Sequence, residues 1–136
     1  MSDPVAQIPF LNNPTEDEPE IILDKERNMF QFTGSSMPED PGKVFSPVLD
    51  WIKSYIQTPN PSTVIEFKMD YFNSSTARYF VEILERFEEL YDNGSNVKII
   101  WFHFHDDVVM LERGEDIEAV VGLPFEFKII DPERSS

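Results

Sequence analysis

Hydrophobic and polar positions follow two kinds of pattern along this chain, one typical of strands and one typical of helices. Strand patterning, in which apolar residues alternate with polar ones or run together, occurs in five segments: 20–24, 29–34, 63–72, 97–104 and 125–130. Helical spacing of apolar residues occurs in three segments: 41–57, 75–93 and 108–121. Asp40 followed by Pro41 supports the first helix start, since it supplies a cap and then a first-turn proline. The order β-β-α-β-α-β-α-β predicts a single α/β domain whose helices pack on a mixed sheet.

Two of these segments, 63–72 and 97–104, predict interior strands of the sheet. In the first, alternation places Tyr71 on the same side as Phe67. The second, VKIIWFHF, is almost continuously apolar, which predicts that both faces of the sheet are covered. The polar stretch KERN between the first two strands predicts a hairpin.

The two ends of the chain differ in composition from the rest. Residues 1–19 contain four prolines and few apolar side chains, so we expect a mobile arm that buries too little area to offset its chain entropy. Residues 20–131 form the predicted domain, and 132–136 a frayed tail. The start of the chain lacks the basic and apolar regions of a signal peptide, and cysteine is absent. Both observations favour a cytoplasmic protein.

Charge narrows the classes of partner. The chain has 11 Lys and Arg residues against 26 Asp and Glu residues, which gives a net charge of −15 at pH 7. Such a surface repels phosphate backbones and anionic lipid, so neither nucleic acid nor a membrane is an expected partner. An acidic scaffold that binds a basic protein and is never phosphorylated stays open as an alternative function.

The sequence offers little for catalysis. It contains no G-x-S-x-G, P-loop or G-x-G-x-x-G pattern, so we predict no catalytic residue and no cofactor. The best metal candidate is HFHDD, where His103 and His105 share one side of a strand and Asp106 or Asp107 adds oxygen ligands. Two histidines without a third ligand at a fixed spacing are weak support for a metal. A metal-dependent enzyme built on His103, His105 and Asp106 is therefore an alternative.

The segment NSSTAR, residues 73–78, lies where a strand pattern gives way to the second helix. Asn73, Ser74 and Ser75 all suit a helix N-cap, where a side-chain oxygen accepts a backbone N–H. A helix start also tolerates a phosphate, because its N–H groups are unpaired and its dipole is positive there. Arg78 lies one turn further on, within reach of such a phosphate. The residues alone leave both roles open, a cap and a phosphorylation switch.

At this point the sequence resembles the SiaC-type bacterial regulatory phosphoproteins. The resemblance runs through GSSMPEDP, VLDWIKSYI, FKMDYFNSSTARYFVEILERFEELYDNG, VKIIWFHFHDD and LPFEF. Its specific part is the Y-F-N-[ST]-S core that leads into the helix. The element order, with a hydroxyl at the start of the second helix, also resembles the STAS domains of anti-anti-sigma factors, so we expect a STAS-like fold.

The resemblance implies a non-enzymatic signalling switch. It implies that a dedicated Ser/Thr kinase phosphorylates the Ser or Thr after the Asn, and that a PP2C-type phosphatase removes the phosphate. The unphosphorylated form is then expected to bind and activate a diguanylate cyclase or another signalling protein, with cyclic di-GMP and biofilm formation as the output. On this chain the acceptor is Ser74, with Ser75 and Thr76 as minor candidates. The expected partner-binding residues surround it: Tyr71, Asn73, Ser74, Ser75 and Arg78.

Overall fold

The computed structural model describes residues 8–130, which form one six-stranded sheet and three helices. The elements are β1 (Phe10–Asn12), β2 (Glu20–Asp24), β3 (Met29–Ser36), α1 (Pro41–Tyr55), β4 (Ser62–Phe72), α2 (Ser74–Asp92), β5 (Asn96–Phe104), α3 (Val108–Glu118) and β6 (Phe125–Ile130). The predicted α/β class, the hairpin, the three helices and the five strands are confirmed. One further strand, β1, precedes them.

The strands lie side by side in chain order, β1-β2-β3-β4-β5-β6. The first three pair antiparallel, whereas β3 to β6 run parallel and are joined through the helices. Because each crossover steps in the same direction with the same hand, the three helices lie on one face. The Phe80 ring of α2 lies 4.9 Å from the Phe67 ring of β4. Trp101 of β5, the direct neighbour of Phe67, donates a 2.9 Å hydrogen bond from Nε1 to the Met110 carbonyl of α3.

The other face of the sheet carries no helix within residues 8–130, so the prediction that β5 is covered on both faces was wrong. The apolar residues of β5 that face away from the helices are covered by side chains of the neighbouring strands. Ile100 is only 7% exposed, and Lys68 Nζ lies 4.7 Å from the centroid of the Phe102 ring. Lysine stems shield apolar surface while their charged ends stay in water. A strand covered in this way is as apolar in sequence as one buried between two layers of helices.

Aromatic rings fill the core between the sheet and α2. Phe32 and Phe67 stack with centroids 4.9 Å apart, and Phe80 meets both rings edge-on. On α3, a Cβ at Gly114 would lie 2.5 Å from the Trp101 ring, so only glycine allows this close approach. These contacts fix α2 and α3 on the sheet, and with them the positions at which both helices begin.

The prediction of a mobile arm over residues 1–19 was wrong at residues 10–12, which form β1. Phe10 to Asn12 pair antiparallel with β2, and Phe10 packs against the core. The Asn12 side chain donates a 2.9 Å hydrogen bond to the Pro19 carbonyl, and Trp51 Nε1 donates a 2.7 Å bond to the Ile8 carbonyl. A three-residue strand is too short to show a period, and its neighbouring prolines masked it. Residues 1–7 of the predicted arm, and the predicted tail at 132–136, lie outside the described residues.

Candidate functional site

The parallel strands all end at one edge of the sheet, which we call the carboxyl edge. It comprises residues 36–40, 70–76, 104–109 and 129–130. Three of its four segments lead directly into a helix, and α/β sheets commonly present ligands and partners at this edge. Ser74 lies near its middle, because β4 ends at Phe72 and α2 begins at Ser74.

Asn73 performs the capping role that the sequence left open among three residues. Its side-chain oxygen accepts a 3.0 Å hydrogen bond from the backbone N–H of Thr76, and its carbonyl accepts one from Ala77. Its own N–H donates to the Ser36 carbonyl at the end of β3. Ser74 therefore occupies the first helical position without serving as the cap, and its side chain is exposed.

The three consecutive hydroxyl residues occupy different environments. Ser74 is exposed, Ser75 is half-buried and Thr76 is fully buried. The Thr76 hydroxyl forms a 2.8 Å hydrogen bond with the buried hydroxyl of Ser36, which ties the start of α2 to β3. A kinase reaches an exposed hydroxyl far more easily than one in such a buried pair, so accessibility favours Ser74 first and argues against Thr76.

A bulge in β4 turns Tyr71 outward. The register with β3 passes from Gly34 opposite Met69 to Ser35 opposite Tyr71, which leaves Asp70 as an extra residue on β4. The extra residue reverses the alternation beyond it, so Phe72 is buried and Tyr71 is 49% exposed. The prediction that Tyr71 shares a side with Phe67 was therefore wrong, and the ring instead lies on the surface, three residues before Ser74 in the chain.

Exposed apolar side chains line the carboxyl edge. Five of the nine large apolar side chains that are exposed within residues 8–130 lie here, each 41–65% exposed. We call these five the apolar rim: Met37, Tyr71, Val108, Val109 and Ile129. They lie at or just beyond the carboxyl ends of β3, β4, β5 and β6, and Ser74 follows β4 at the same edge. Clustered exposed apolar residues with polar groups between them are typical of protein-binding surfaces.

Arg78 lines a groove between α2 and α3. The groove has a volume of about 310 Å³ and is formed by Ala77, Arg78, Val81, Asp116 and Ile117. Arg78 lies one helical turn after Ser74 and so on the same side of α2. Four of the five expected binding residues thus lie within the junction of β4 and α2, from Tyr71 to Ser75, and Arg78 lies one turn further along α2.

The metal candidates are not brought together. His103 is buried and hydrogen-bonded through Nδ1 to the Phe104 carbonyl at 2.9 Å, whereas His105 and Asp106 are exposed in the turn beyond β5. Within residues 8–130, no group of three His, Asp or Glu side chains has a geometry that could hold a metal ion. His103 and His105 do not share one side of a strand, because β5 ends at Phe104.

Sequence reasoning missed most of the apolar rim and Arg113. The signal for Val108 and Val109 was present, because both apolar side chains lie off the buried stripe of α3 that begins at Met110. Met37 and Ile129 give no such local signal, since their exposure depends on the ends of neighbouring strands. Arg113 lies in α3 with its guanidinium carbon 4.1 Å from the centroid of the Phe72 ring, a long-range contact that local patterning does not predict.

In the part of the chain that the structure describes, no helix has the length and apolar character needed to cross a membrane. Each of α1, α2 and α3 is instead amphipathic, with one face buried on the sheet.

Comparison with known proteins agrees with this architecture. An uncharacterised protein of Pseudomonas aeruginosa strain UCBPP-PA14 is 23% identical over 117 residues, which span 86% of this chain and 93% of that protein. The crystal structure of apo-SiaC from Pseudomonas aeruginosa matches with a TM-score of 0.82 at 22% identity, covering 89% of this chain and 98% of SiaC. A chain in the crystal structure of the diguanylate cyclase SiaD in complex with its activator SiaC, from the same organism, matches with a TM-score of 0.84 at 21% identity, covering 89% of this chain and 99% of that one.

These crystal structures share the fold of this chain. Membership of a family is shown by the sequence instead. The sequence model of the SiaC family of regulatory phosphoproteins matches residues 12–130, which includes every helix and nearly all of the sheet. This protein belongs to the SiaC family of regulatory phosphoproteins.

Proposed function

We propose that this protein is a non-enzymatic signalling switch controlled by phosphorylation of Ser74. The observation that carries the proposal is the position of Ser74, an exposed hydroxyl on the first residue of α2 among the residues of the apolar rim. Asn73 already caps the helix, so the Ser74 hydroxyl has no structural role in the cap and is free for modification. A Ser/Thr kinase adds the phosphate, and a PP2C-type phosphatase removes it.

The partner of the unphosphorylated form is a diguanylate cyclase, which the protein binds and activates. Support comes from family membership and from the fold that this chain shares with the SiaC–SiaD complex structure. The carboxyl edge supplies the docking surface: the apolar rim gives contact area, and Asn73, Ser75 and Arg78 surround Ser74 with polar groups. The switch acts in the cytoplasm, where cyclic di-GMP is made, and it controls biofilm formation.

Phosphorylation weakens this docking through charge. A phosphoserine carries about −1.5 to −2 charges at pH 7. Ser74 lies on the same edge of the sheet as the apolar rim, so a partner that covers this edge must also take the phosphate out of water. Taking such a charge out of water costs several kcal/mol, even where it has a partner of opposite charge. A loss of about 3 kcal/mol weakens binding roughly a hundredfold.

Binding to the purified cyclase partner, measured by isothermal titration calorimetry, tests the proposal. We expect Ser74→Ala to bind like the wild type and Ser74→Asp to bind about tenfold more weakly or worse, because the aspartate supplies part of the phosphate charge. Ser62→Asp is the matched control, since it adds the same charge to an exposed serine at the opposite end of β4. Equal binding of Ser74→Asp and Ser62→Asp would contradict the switch.

A further inference from the structure

We propose that Arg113 of α3 receives the phosphate of phospho-Ser74, so that phosphorylation closes an ion pair across the groove between α2 and α3. This inference rests on the proposed switch and extends it, because it names the group that holds the phosphate. Three observations carry it: the unpaired guanidinium of Arg113, its position over Phe72, and the relative register of the two helices.

The guanidinium of Arg113 has no hydrogen bond or ion pair with any other residue in the range 8–130. Its Nε is buried, and it is the one buried side-chain nitrogen or oxygen within residues 8–130 that has no hydrogen bond. The ion pairs found in that range involve Arg27, Arg86, Lys98 and Lys128, and none involves Arg113. Leaving a charged donor unpaired is costly, and this chain has 26 acidic residues that could have supplied a carboxylate. An unpaired arginine here is therefore suited to an anion that arrives later.

The aromatic ring beneath Arg113 places it close to Ser74 in the chain. The guanidinium carbon lies 4.1 Å from the centroid of the Phe72 ring, a cation–π distance. Phe72 is the last residue of β4, two residues before Ser74. Stacking on a ring leaves the edge N–H groups of the guanidinium free to bind the two oxygens of a phosphate together. Arg113 is thus preorganised at the end of the strand that carries Ser74.

The register of the helices sets Arg113 opposite Ser74. Because α2 and α3 both connect parallel strands in the same sense, they run in the same direction. Their shared groove joins Ala77 and Arg78 on α2 to Asp116 and Ile117 on α3. Ser74 lies three residues before Ala77 and four before Arg78, so it is on the groove side of α2, one turn earlier. In the same way, Arg113 lies one turn before the two groove residues of α3.

The ion pair changes more than charge at the carboxyl edge. It links the first turn of α2 to α3, next to the rim residue Val109, and holds the phosphate across the mouth of the groove. A partner that docks on the rim then meets an anion fixed in place, which cannot swing aside into solvent. Arg78 contributes less, because it lies on α2 itself and shares the groove with the carboxylate of Asp116.

Protein with phosphoserine incorporated site-specifically at position 74 tests the pairing directly. A ³¹P NMR titration follows the second ionisation of the phosphate, whose ordinary pKa is about 6. A paired guanidinium favours the dianion, so we expect this pKa to lie below that value in the wild-type sequence. Arg113→Gln should raise it by about half a unit or more. Arg86→Gln, which removes an equal charge more than three turns along α2 from Ser74, should leave it unchanged.

Two further variants make each outcome decisive. Arg113→Lys keeps a charge without the fork and should restore part of the shift, and it also serves if Arg113→Gln fails to fold. Arg78→Gln tests the competing cation. The pairing is wrong if the pKa of the phosphate is the same with Arg113→Gln as in the wild type, or if Arg78→Gln alone abolishes the shift. Since the phosphoserine is installed during synthesis, this failure is separate from finding Ser74 unmodified in cells, which would instead overturn the proposed function.

Discussion

The starts of α2 and α3 are built alike but differ in charge. At each, the cap residue accepts a 3.0 Å hydrogen bond from the N–H three residues on: Asn73 from Thr76, and Asp107 from Met110. The cap of α3 is an anion, which compensates the positive end of the helix dipole, and Asp40 does the same for α1. The cap of α2 is neutral, and its first turn contains no acidic residue. Of the three helices, α2 is therefore the one whose start has room for a phosphate.

A second difference lies in how the two helix starts are anchored. The start of α2 is tied to β3 by the buried pair of Thr76 and Ser36 and by the N–H of Asn73. The first turn of α3 is held to the sheet by a different contact, the 2.9 Å hydrogen bond from Trp101 Nε1 of β5 to the Met110 carbonyl, which involves no buried hydroxyl pair. Phosphate at Ser74 would thus add charge to a firmly held position, which suits a change of surface without a change of fold.

The largest effect is expected from breaking this anchor. Thr76→Val keeps the shape of the side chain and leaves the buried Ser36 hydroxyl without its partner, which costs about 1–3 kcal/mol. The double variant Ser36→Ala with Thr76→Val removes both polar groups and should recover most of that loss. Urea unfolding of the wild type, of Thr76→Val, of Ser36→Ala and of the double variant measures this. The account is wrong if the double variant loses as much free energy of unfolding as the two single variants lose together. The two hydroxyls would then act independently and would not be each other's partner.

A smaller effect is expected from removing the caps. Asn73→Ala and Asp107→Ala should each cost about 1 kcal/mol in the free energy of unfolding. They should differ in their dependence on salt, because only Asp107 also acts through its charge on the helix dipole. Unfolding curves at low and high ionic strength separate the two contributions. If the Asn73→Ala loss shrinks with added salt as much as the Asp107→Ala loss, the assigned contrast between the helix starts is wrong.

The smallest effect is expected from placing a negative charge at the cap of α2, as the cap of α3 already has. Asn73→Asp keeps a capping oxygen and adds an anion, which should stabilise the unphosphorylated protein by a few tenths of a kcal/mol. With phosphoserine at 74 the sign should reverse, since two neighbouring anions then repel one another. Thermal unfolding of both forms checks this. A stabilising effect of the same size in both forms would mean that the phosphate does not meet the dipole of α2.

Local sequence patterns predicted some elements of the fold and of the candidate site. Alternating strand and helix periods predicted the parallel sheet, and Asp40 before Pro41 predicted the start of α1. Residues 73–78 marked the junction, because a cap and its neighbouring hydroxyls are local features. The sequence did not show which hydroxyl is exposed, since the burial of Thr76 depends on Ser36, forty residues away.

Other features depend on the whole sheet and were out of reach. The bulge at Asp70, which turns Tyr71 outward, arises from the register between β3 and β4. The open face of the sheet was hidden because Lys68 covers Phe102 from the next strand. The contact between Arg113 and Phe72 joins residues that are distant in sequence. Local period and propensity carry no information about such pairings.

Phosphopeptide mass spectrometry of the native protein tests the central claim most directly. Trypsin cleaves after Lys68 and Arg78, so peptide 69–78 carries all three hydroxyl residues. The protein should be isolated from its own cells as two pools, one that co-purifies with the cyclase and one that is free. We predict phosphate on Ser74 in the free pool and an unmodified peptide in the bound pool. A peptide unmodified in both pools, or equal Ser74 phosphorylation in both, would contradict the account.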